Sequence, residues 1–195
     1  MDLGDRGVET GLNARIGTRP LDPVAIGEIH IKDEDKAMTY KITGLSPAAH
    51  AHLFAMSDAE LAAINARRVT AAASKGFPCR VSLEDAKEGE SLILFHHVSH
   101  DVATPYRSAY AVYIREAAQQ AAEYVDQTPP VFEGRPIALR GFDAEGNLRN
   151  AALALPGQAD ARIRELFDAS EIAYIHAHNA AHGCFSAAIE RTRDD

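Results

Sequence analysis

From Tyr40 onward the chain alternates short apolar runs with turn residues, a pattern that favours strands joined by tight turns. The run 91–98 is nearly continuous in apolar residues, as in a central strand, and 110–115 alternates as a strand does. Two pairs of strand-like runs flank polar turns and predict hairpins, namely 136–142 with 148–155 and 172–178 with 184–189. Because strands joined by short turns pair antiparallel, we expect a largely antiparallel sheet.

Helix signals lie between these strands. Ser46, followed by proline, predicts a helix start, and Ser-Asp-Ala-Glu at 57–60 is a capping box for a second short helix through about Arg67. Two more helices are expected, an alanine-rich one ending near Asp126 and an amphipathic one near 160–168. The predicted fold class is therefore α+β, a largely antiparallel sheet built from hairpins with several short helices packed on it.

The first 38 residues differ from the rest of the chain. They contain several glycines and two prolines, and they offer no sustained apolar face. We therefore predict a mobile or weakly ordered N-terminal extension over 1–38 and a single α+β domain over 39–195. Met38, directly before the first regular strand, is a candidate for the native start.

The charge balance of the chain disfavours two classes of binding partner. Twenty Lys and Arg stand against 28 Asp and Glu, which gives a net charge of −8. This balance disfavours nucleic acid and anionic membrane surfaces, both of which require clustered basic residues. The start lacks an apolar signal-like region, no apolar run reaches membrane-spanning length, and only two cysteines are present. We expect a cytoplasmic protein, and the sequence leaves homo-oligomer formation open.

The final hairpin carries the first candidate site. Alternate strand residues share a face, so Tyr174, His176 and His178 are expected to project together. If the intervening loop closes a simple hairpin, His178 lies opposite Cys184 and His176 lies opposite Ser186. A thiol beside an imidazole can become a reactive thiolate. The alternative is a buried, hydrogen-bonded histidine pair with Cys184 serving as a small packing residue.

A second candidate site combines arginines from two loops. Arg107 lies between Tyr106 and Ser108, and a guanidinium among hydroxyl groups can hold a carboxylate or phosphate through two parallel hydrogen bonds. Arg80 can add positive charge to the same pocket, and Asn179 can add a polar group. The equally open alternative is that Arg107 braces its own loop by binding backbone carbonyls.

Metal and cofactor motifs are weak. His96 and His100 should share a strand face while His97 points away, which makes structural histidines the better interpretation. A tetrahedral zinc site has suitable ligand types in four residues: Cys79, His176, His178 and Cys184. Phosphate-binding glycine loops and hydrolase or zinc-protease motifs are absent, so we predict no cofactor and no bound metal.

Four strings in order resemble one known family. They are Phe-Pro-Cys-Arg-Val-Ser-Leu-Glu-Asp-Ala at 77–86, Thr-Pro-Tyr-Arg-Ser at 104–108, Arg-Gly-Phe-Asp at 140–143, and Tyr-Ile-His-Ala-His-Asn with the following Gly-Cys at 174–184. The chain resembles the bacterial family known as domain of unknown function 1203 from about Tyr40 to Arg191. The resemblance implies a stand-alone domain without an assigned activity. It joins three of these strings, those that carry Arg80, Arg107 and the face of His176, His178 and Cys184, as parts of one anionic pocket.

The predicted function is that of a small cytosolic protein with a polar pocket for a small anionic molecule. If the protein is an enzyme, transfer or hydrolysis is expected, with Cys184 as nucleophile, His178 as base and Arg107 holding the substrate. The alternative from another class is a ligand-sensing or interaction module without turnover. A structural zinc domain is the third hypothesis.

Overall fold

A computed structural model describes residues 39–192 of the chain. These residues form nine strands in antiparallel sheets and three short α-helices, which confirms the predicted α+β class. The predicted extension at 1–38 lies outside the described residues. Within 39–192, no helix is long and apolar enough to cross a membrane.

The strands form two sheets. The larger has the order β5-β1-β9-β8-β6-β7, and the smaller has the order β2-β3-β4. The strands are β1 Thr39–Thr43, β2 Arg67–Thr70, β3 Ser91–His100, β4 Ser108–Arg115, β5 Glu123–Val125, β6 Ile137–Phe142, β7 Leu148–Ala154, β8 Tyr174–Asn179 and β9 Phe185–Thr192. The helices are α1 Pro47–Ala55, α2 Asp58–Ala63 and α3 Ala159–Phe167, with a 3-10 turn at Pro130–Phe132.

Local signals account for most of these elements. The capping box at Ser57 forms as predicted, with the side chains and backbone N–H groups of Ser57 and Glu60 bonded reciprocally. Helix α2 ends earlier than expected, since Asn65 adopts a left-handed backbone at φ 57° and Arg67 already belongs to β2. Both predicted hairpins form, with strand ends shifted by one to three residues.

The predicted alanine-rich helix ending near Asp126 is wrong. Glu123–Val125 instead forms the edge strand β5, which pairs with β1 in the register Lys41↔Val125. The backbone N–H of Asp126 also bonds the Tyr40 carbonyl at 3.0 Å. Pairing with the large sheet therefore overrides the helical propensity of this segment.

The larger sheet has a different core on each face. On one face, residues of α3 such as Ile163 and Phe167 pack against Ile175 and Ala177 of β8. On the other face, Phe185 belongs to a second core with residues of α1, α2 and the smaller sheet. Because side chains alternate along β8, His176 and His178 point to the opposite face from Ile175 and Ala177. They therefore face the second core.

A close backbone approach fixes the segment that carries Arg80. The Arg80 N–H donates to the Tyr113 carbonyl at 2.8 Å, and the Arg80 carbonyl accepts from the Leu45 N–H at 2.7 Å. Gly44 makes this possible, because a Cβ there would lie 2.0 Å from the Val81 carbonyl oxygen. The backbone of Arg80 is thus held from both sides.

Candidate functional site

The final hairpin keeps the predicted face but not the predicted partners. Rings of Tyr174 and His176 lie 5.5 Å apart, and those of His176 and His178 lie 6.4 Å apart, so the three side chains share one face. The predicted pairings of His178 with Cys184 and of His176 with Ser186 are wrong. His178 pairs with Phe185, and His176 pairs with Ala188.

A β-bulge is the physical reason for this difference. The register shifts between Ala177 and His178, so that one extra residue, Ser186, is accommodated in β9. Cys184 lies before the strand begins, and its thiol donates to the His182 carbonyl at 3.7 Å. Among the described residues, no hydrogen bond joins Cys184 to His178.

His176 is buried in an aromatic environment. Its ring centroid lies 4.9 Å from that of His100, and 5.2 Å from each of Phe142 and Phe185. Its Nδ1 is buried without a hydrogen-bond partner among the described residues. Burial, reinforced by the neighbouring His100 and His178, lowers the pKa of His176 to about 3. His176 is therefore neutral at physiological pH.

His178 is neutral for similar reasons. Burial, followed by the charge of Arg140, lowers the pKa of His178 to about 4. Its Nδ1 lies 3.2 Å from the Gly183 carbonyl, to which the neutral ring donates. Gly183 allows this contact because its backbone is left-handed, at φ 74°. His178 thus ties down the loop that carries Cys184.

A second bulge rearranges the histidines of β3. The register shifts between Val98 and His100, so the predicted common face of His96 and His100 is wrong. His96 is exposed and His100 is buried. His100 donates from Nδ1 to the Tyr106 carbonyl at 2.9 Å and accepts at Nε2 from the Tyr174 hydroxyl at 2.7 Å. Tyr174 is therefore engaged with His100.

His97 lies on the opposite face of β3 from His96 and faces inward. Its ring lies 5.9 Å from Phe185 and 5.7 Å from His50. Burial, reinforced by the nearby His50, lowers the pKa of His97 to about 4. The lowered pKa values thus make aromatic packing residues of three histidines at neutral pH, namely His97, His176 and His178.

Arg80 lies in the wall of a cavity of about 320 Å³, which we call the Arg80 cavity. Its apolar wall includes Pro78, Leu94, Ala111, Val112 and Tyr113, and its polar wall includes Arg80, Arg135, Asn179, His182 and Cys184. Arg80 is only 3% exposed. Its Nη1 donates to the Ser186 hydroxyl at 3.4 Å, and its buried Nε has no partner among the described residues.

Arg135 and Asn179, two other polar residues of this cavity, are already engaged. Arg135 donates from Nη2 to both carboxylate oxygens of Asp85, at 2.8 and 2.7 Å. The Asn179 side-chain oxygen accepts from the backbone N–H groups of Ala181 and His182 at 3.1 and 3.4 Å. Within residues 39–192, no carboxylate forms an ion pair with Arg80, which is the one guanidinium of the cavity wall left uncompensated.

The other predicted ligand-binding residues line a different cavity, of about 400 Å³. Tyr106, Arg107 and Ser108 form part of its wall, together with Arg140 and Phe142. The Arg107 side chain is 60% exposed, and its Nε donates to the Asp101 carboxylate at 2.8 Å. Arg107 thus pairs with a carboxylate of a neighbouring residue, and no described hydrogen bond joins its side chain to the backbone carbonyls that the bracing alternative named.

The predicted site residues therefore fall into three groups. Arg80, Asn179 and Cys184 line the Arg80 cavity, and the Arg107 loop lines the second cavity. Neither cavity is lined by His176, His178 or Tyr174, and both of these histidines are buried in the packed interior. One pocket uniting all three strings is not formed.

Several residues near these sites were not predicted from the sequence. Arg135, Tyr113 and His182 line the Arg80 cavity, and Arg140 donates from Nη1 to the Tyr110 hydroxyl at 2.9 Å. Arg140 stands in one of the four strings that carry the family resemblance, which was the only signal for it.

No group of three or more His, Cys, Asp or Glu that could hold a metal ion occurs within the described part of the chain. The predicted zinc ligand Cys79 is buried in the second core, where its sulfur accepts from the Arg115 N–H at 3.3 Å.

Comparison with known proteins identifies one family. The model described as Protein of unknown function (DUF1203) matches residues 76–191, more than half of the chain. The matched range contains all four strings that carry the resemblance. It begins at residue 76, whereas the resemblance was predicted to begin at about Tyr40. No curated protein and no solved structure matches the chain.

Proposed function

The chain belongs to the DUF1203 family of proteins of unknown function, and we propose from the site itself that it binds a small anion in the Arg80 cavity. The observation that carries this proposal is a buried guanidinium without a carboxylate partner. Buried charges in proteins are normally paired, because an unpaired one is strongly unfavourable. An anionic ligand would supply the missing partner.

The hydrogen bonds of Arg80 support a particular mode of binding. Nη1, the nitrogen on the same side as Cδ, is occupied by Ser186. On the opposite edge of the guanidinium, Nε is buried without a partner, and the one side-chain hydrogen bond of Arg80 to a described residue leaves Nη2 unused. Two parallel N–H groups on that edge match the two oxygens of a carboxylate or phosphate.

The cost of burying the Arg80 charge supports the same proposal. Burial is the largest influence on Arg80 and lowers its pKa to about 10, against an ordinary value of about 12.5. Each pKa unit corresponds to about 1.4 kcal/mol. Burial therefore makes the charged form of Arg80 less favourable than in water by about 3 kcal/mol. A bound anion would recover part of this free energy.

Binding without turnover is the form of the hypothesis that we favour. The catalytic form required His178 beside Cys184 and Arg107 in the same pocket, and these residues are separated as described above. Cys184 remains in the wall of the Arg80 cavity, so a bound molecule would lie near a thiol. A ligand-sensing role agrees with this arrangement.

Thermal unfolding with added acetate or inorganic phosphate, at constant ionic strength, tests the proposal. A ligand at a hundredfold excess over its dissociation constant stabilises the folded state by about 2.7 kcal/mol. For a protein of this size, that corresponds to a rise of about 5–10 °C in Tm. Arg80→Met should abolish the rise, and its ligand-free Tm should be equal to or above that of the wild type because a buried charge has been removed.

Two further variants control the experiment. Arg80→Lys keeps the charge and loses the two-pronged edge, so it should reduce the rise in Tm even if Arg80→Met does not fold. Arg107→Met removes an exposed arginine of the second cavity and should leave the rise unchanged. An undiminished rise in both Arg80 variants would contradict the proposal, and a rise lost only in Arg107→Met would place the anion in the second cavity.

A further inference from the structure

The Arg80 cavity has a polar end and an apolar wall, and the two are formed by different elements. Arg80, Asn179 and Cys184 come from the loop before β3 and from the final hairpin. Apart from Pro78, the apolar wall comes from β3 and β4, where Leu94 and Tyr113 are directly paired across the strands. Direct cross-strand neighbours share a face, so these two side chains form a continuous apolar surface.

The charge of the cavity matches a monoanion. Arg80 supplies one uncompensated positive charge, since Arg135 is neutralised by both oxygens of Asp85. A phosphate dianion would bring a second negative charge, and the second guanidinium of the wall, Arg135, is already paired with Asp85. A carboxylate carries one negative charge and two oxygens, which fit the unpartnered edge of the Arg80 guanidinium.

We infer that the ligand of the Arg80 cavity is a small monocarboxylate with an apolar tail, the carboxylate on Arg80 and the tail against Leu94 and Tyr113. The inference rests on the proposed anion binding and adds the chemical class of the ligand. The volume of about 320 Å³ falls at the lower end of the range for small-molecule sites, which suits a tail of a few carbon atoms.

Straight-chain carboxylates test this inference. Isothermal titration of the full chain with acetate, butyrate and hexanoate changes the length of the tail and leaves the charged group constant. Burial of one methylene contributes about 0.8 kcal/mol, so the dissociation constant should fall about fourfold per methylene, or about fifteenfold per pair, until the cavity is filled. Inorganic phosphate should bind more weakly than butyrate, and pentylamine, which has the five-carbon tail of hexanoate and the opposite charge, should not bind.

Two variants separate the polar end from the apolar wall. Arg80→Met should weaken all three carboxylates. Ala111→Leu, at an exposed residue of the apolar wall, should weaken hexanoate at least tenfold and leave acetate within about twofold. The chain-length series in the wild type stands by itself if either variant fails to fold.

The outcomes distinguish this inference from the proposed function. Anion binding that depends on Arg80 but not on chain length would overturn the inference and leave anion binding intact. Hexanoate binding that survives Arg80→Met would also overturn it, because the tail alone would then account for affinity. Failure of acetate, phosphate and the longer acids alike would overturn both.

Discussion

Lowering the pH from 7 to 5 should destabilise this protein through His176 and His178. Both are buried between the two sheets, with pKa values of about 3 and about 4 in the folded state. In the unfolded chain each returns to an ordinary value of about 6.5. Below pH 6.5 the unfolded chain therefore binds protons that the folded protein excludes, and the free energy of unfolding falls as the pH falls.

The size of this effect follows from the two pKa values. Each histidine lowers the free energy of unfolding by about 1.4 kcal/mol for every pH unit below 6.5, until the pH reaches its folded pKa. At pH 5 the loss is about 2 kcal/mol for each residue and about 4 kcal/mol for the pair. That is a large part of the 5–15 kcal/mol typical of whole proteins. The basic groups that act on the pair are His97, His100, Arg80 and Arg140, and no carboxylate stands among them to stabilise an imidazolium.

Urea unfolding followed by circular dichroism at pH 7 and pH 5 measures this loss. Tryptophan fluorescence cannot serve, because the chain has no Trp. His176→Phe keeps a ring in the aromatic cluster and removes one titrating group, so its loss between the two pH values should be smaller by about 2 kcal/mol. His52→Gln, at an exposed position of α1, should lose as much stability as the wild type. Equal losses in all three proteins would refute the reasoning.

Two other predictions concern the frame and the wall of the Arg80 cavity. Gly44→Ala should destabilise the protein by at least about 2 kcal/mol in urea unfolding, because its Cβ would lie 2.0 Å from the Val81 carbonyl oxygen. Gly89→Ala should cost only about 1 kcal/mol, because its Cβ would meet nothing within 4 Å and only the positive φ is unfavourable. Iodoacetamide should modify Cys184 and spare the fully buried Cys79 in the native protein, and saturating butyrate should slow the reaction. A smaller loss for Gly44→Ala than for Gly89→Ala, or a rate at Cys184 indifferent to butyrate, would contradict these expectations.

The sequence by itself determined the two hairpins, the strands β3 and β4, and the shared face of β8. These features depend on local periodicity and on turn and cap residues such as Ser57, all of which can be recognised within a few residues of chain. The same local patterns predicted a helix before Asp126, where sheet pairing with β1 decided otherwise. Local propensity is weak enough for a single strand partner to override it.

Only the tertiary structure decided which polar residues meet. Two bulges, at Ala177/His178 and at Val98/His100, each shift the register by one residue, and one residue is enough to exchange the faces of a strand. Cys184 was thereby separated from its predicted partner His178, and His100 was turned into the core. The unpaired state of Arg80 was equally beyond the sequence, because it depends on Asp85 binding Arg135, 50 residues further along the chain, rather than Arg80. Charge compensation is a property of distances in the folded protein, and no spacing along the chain encodes it.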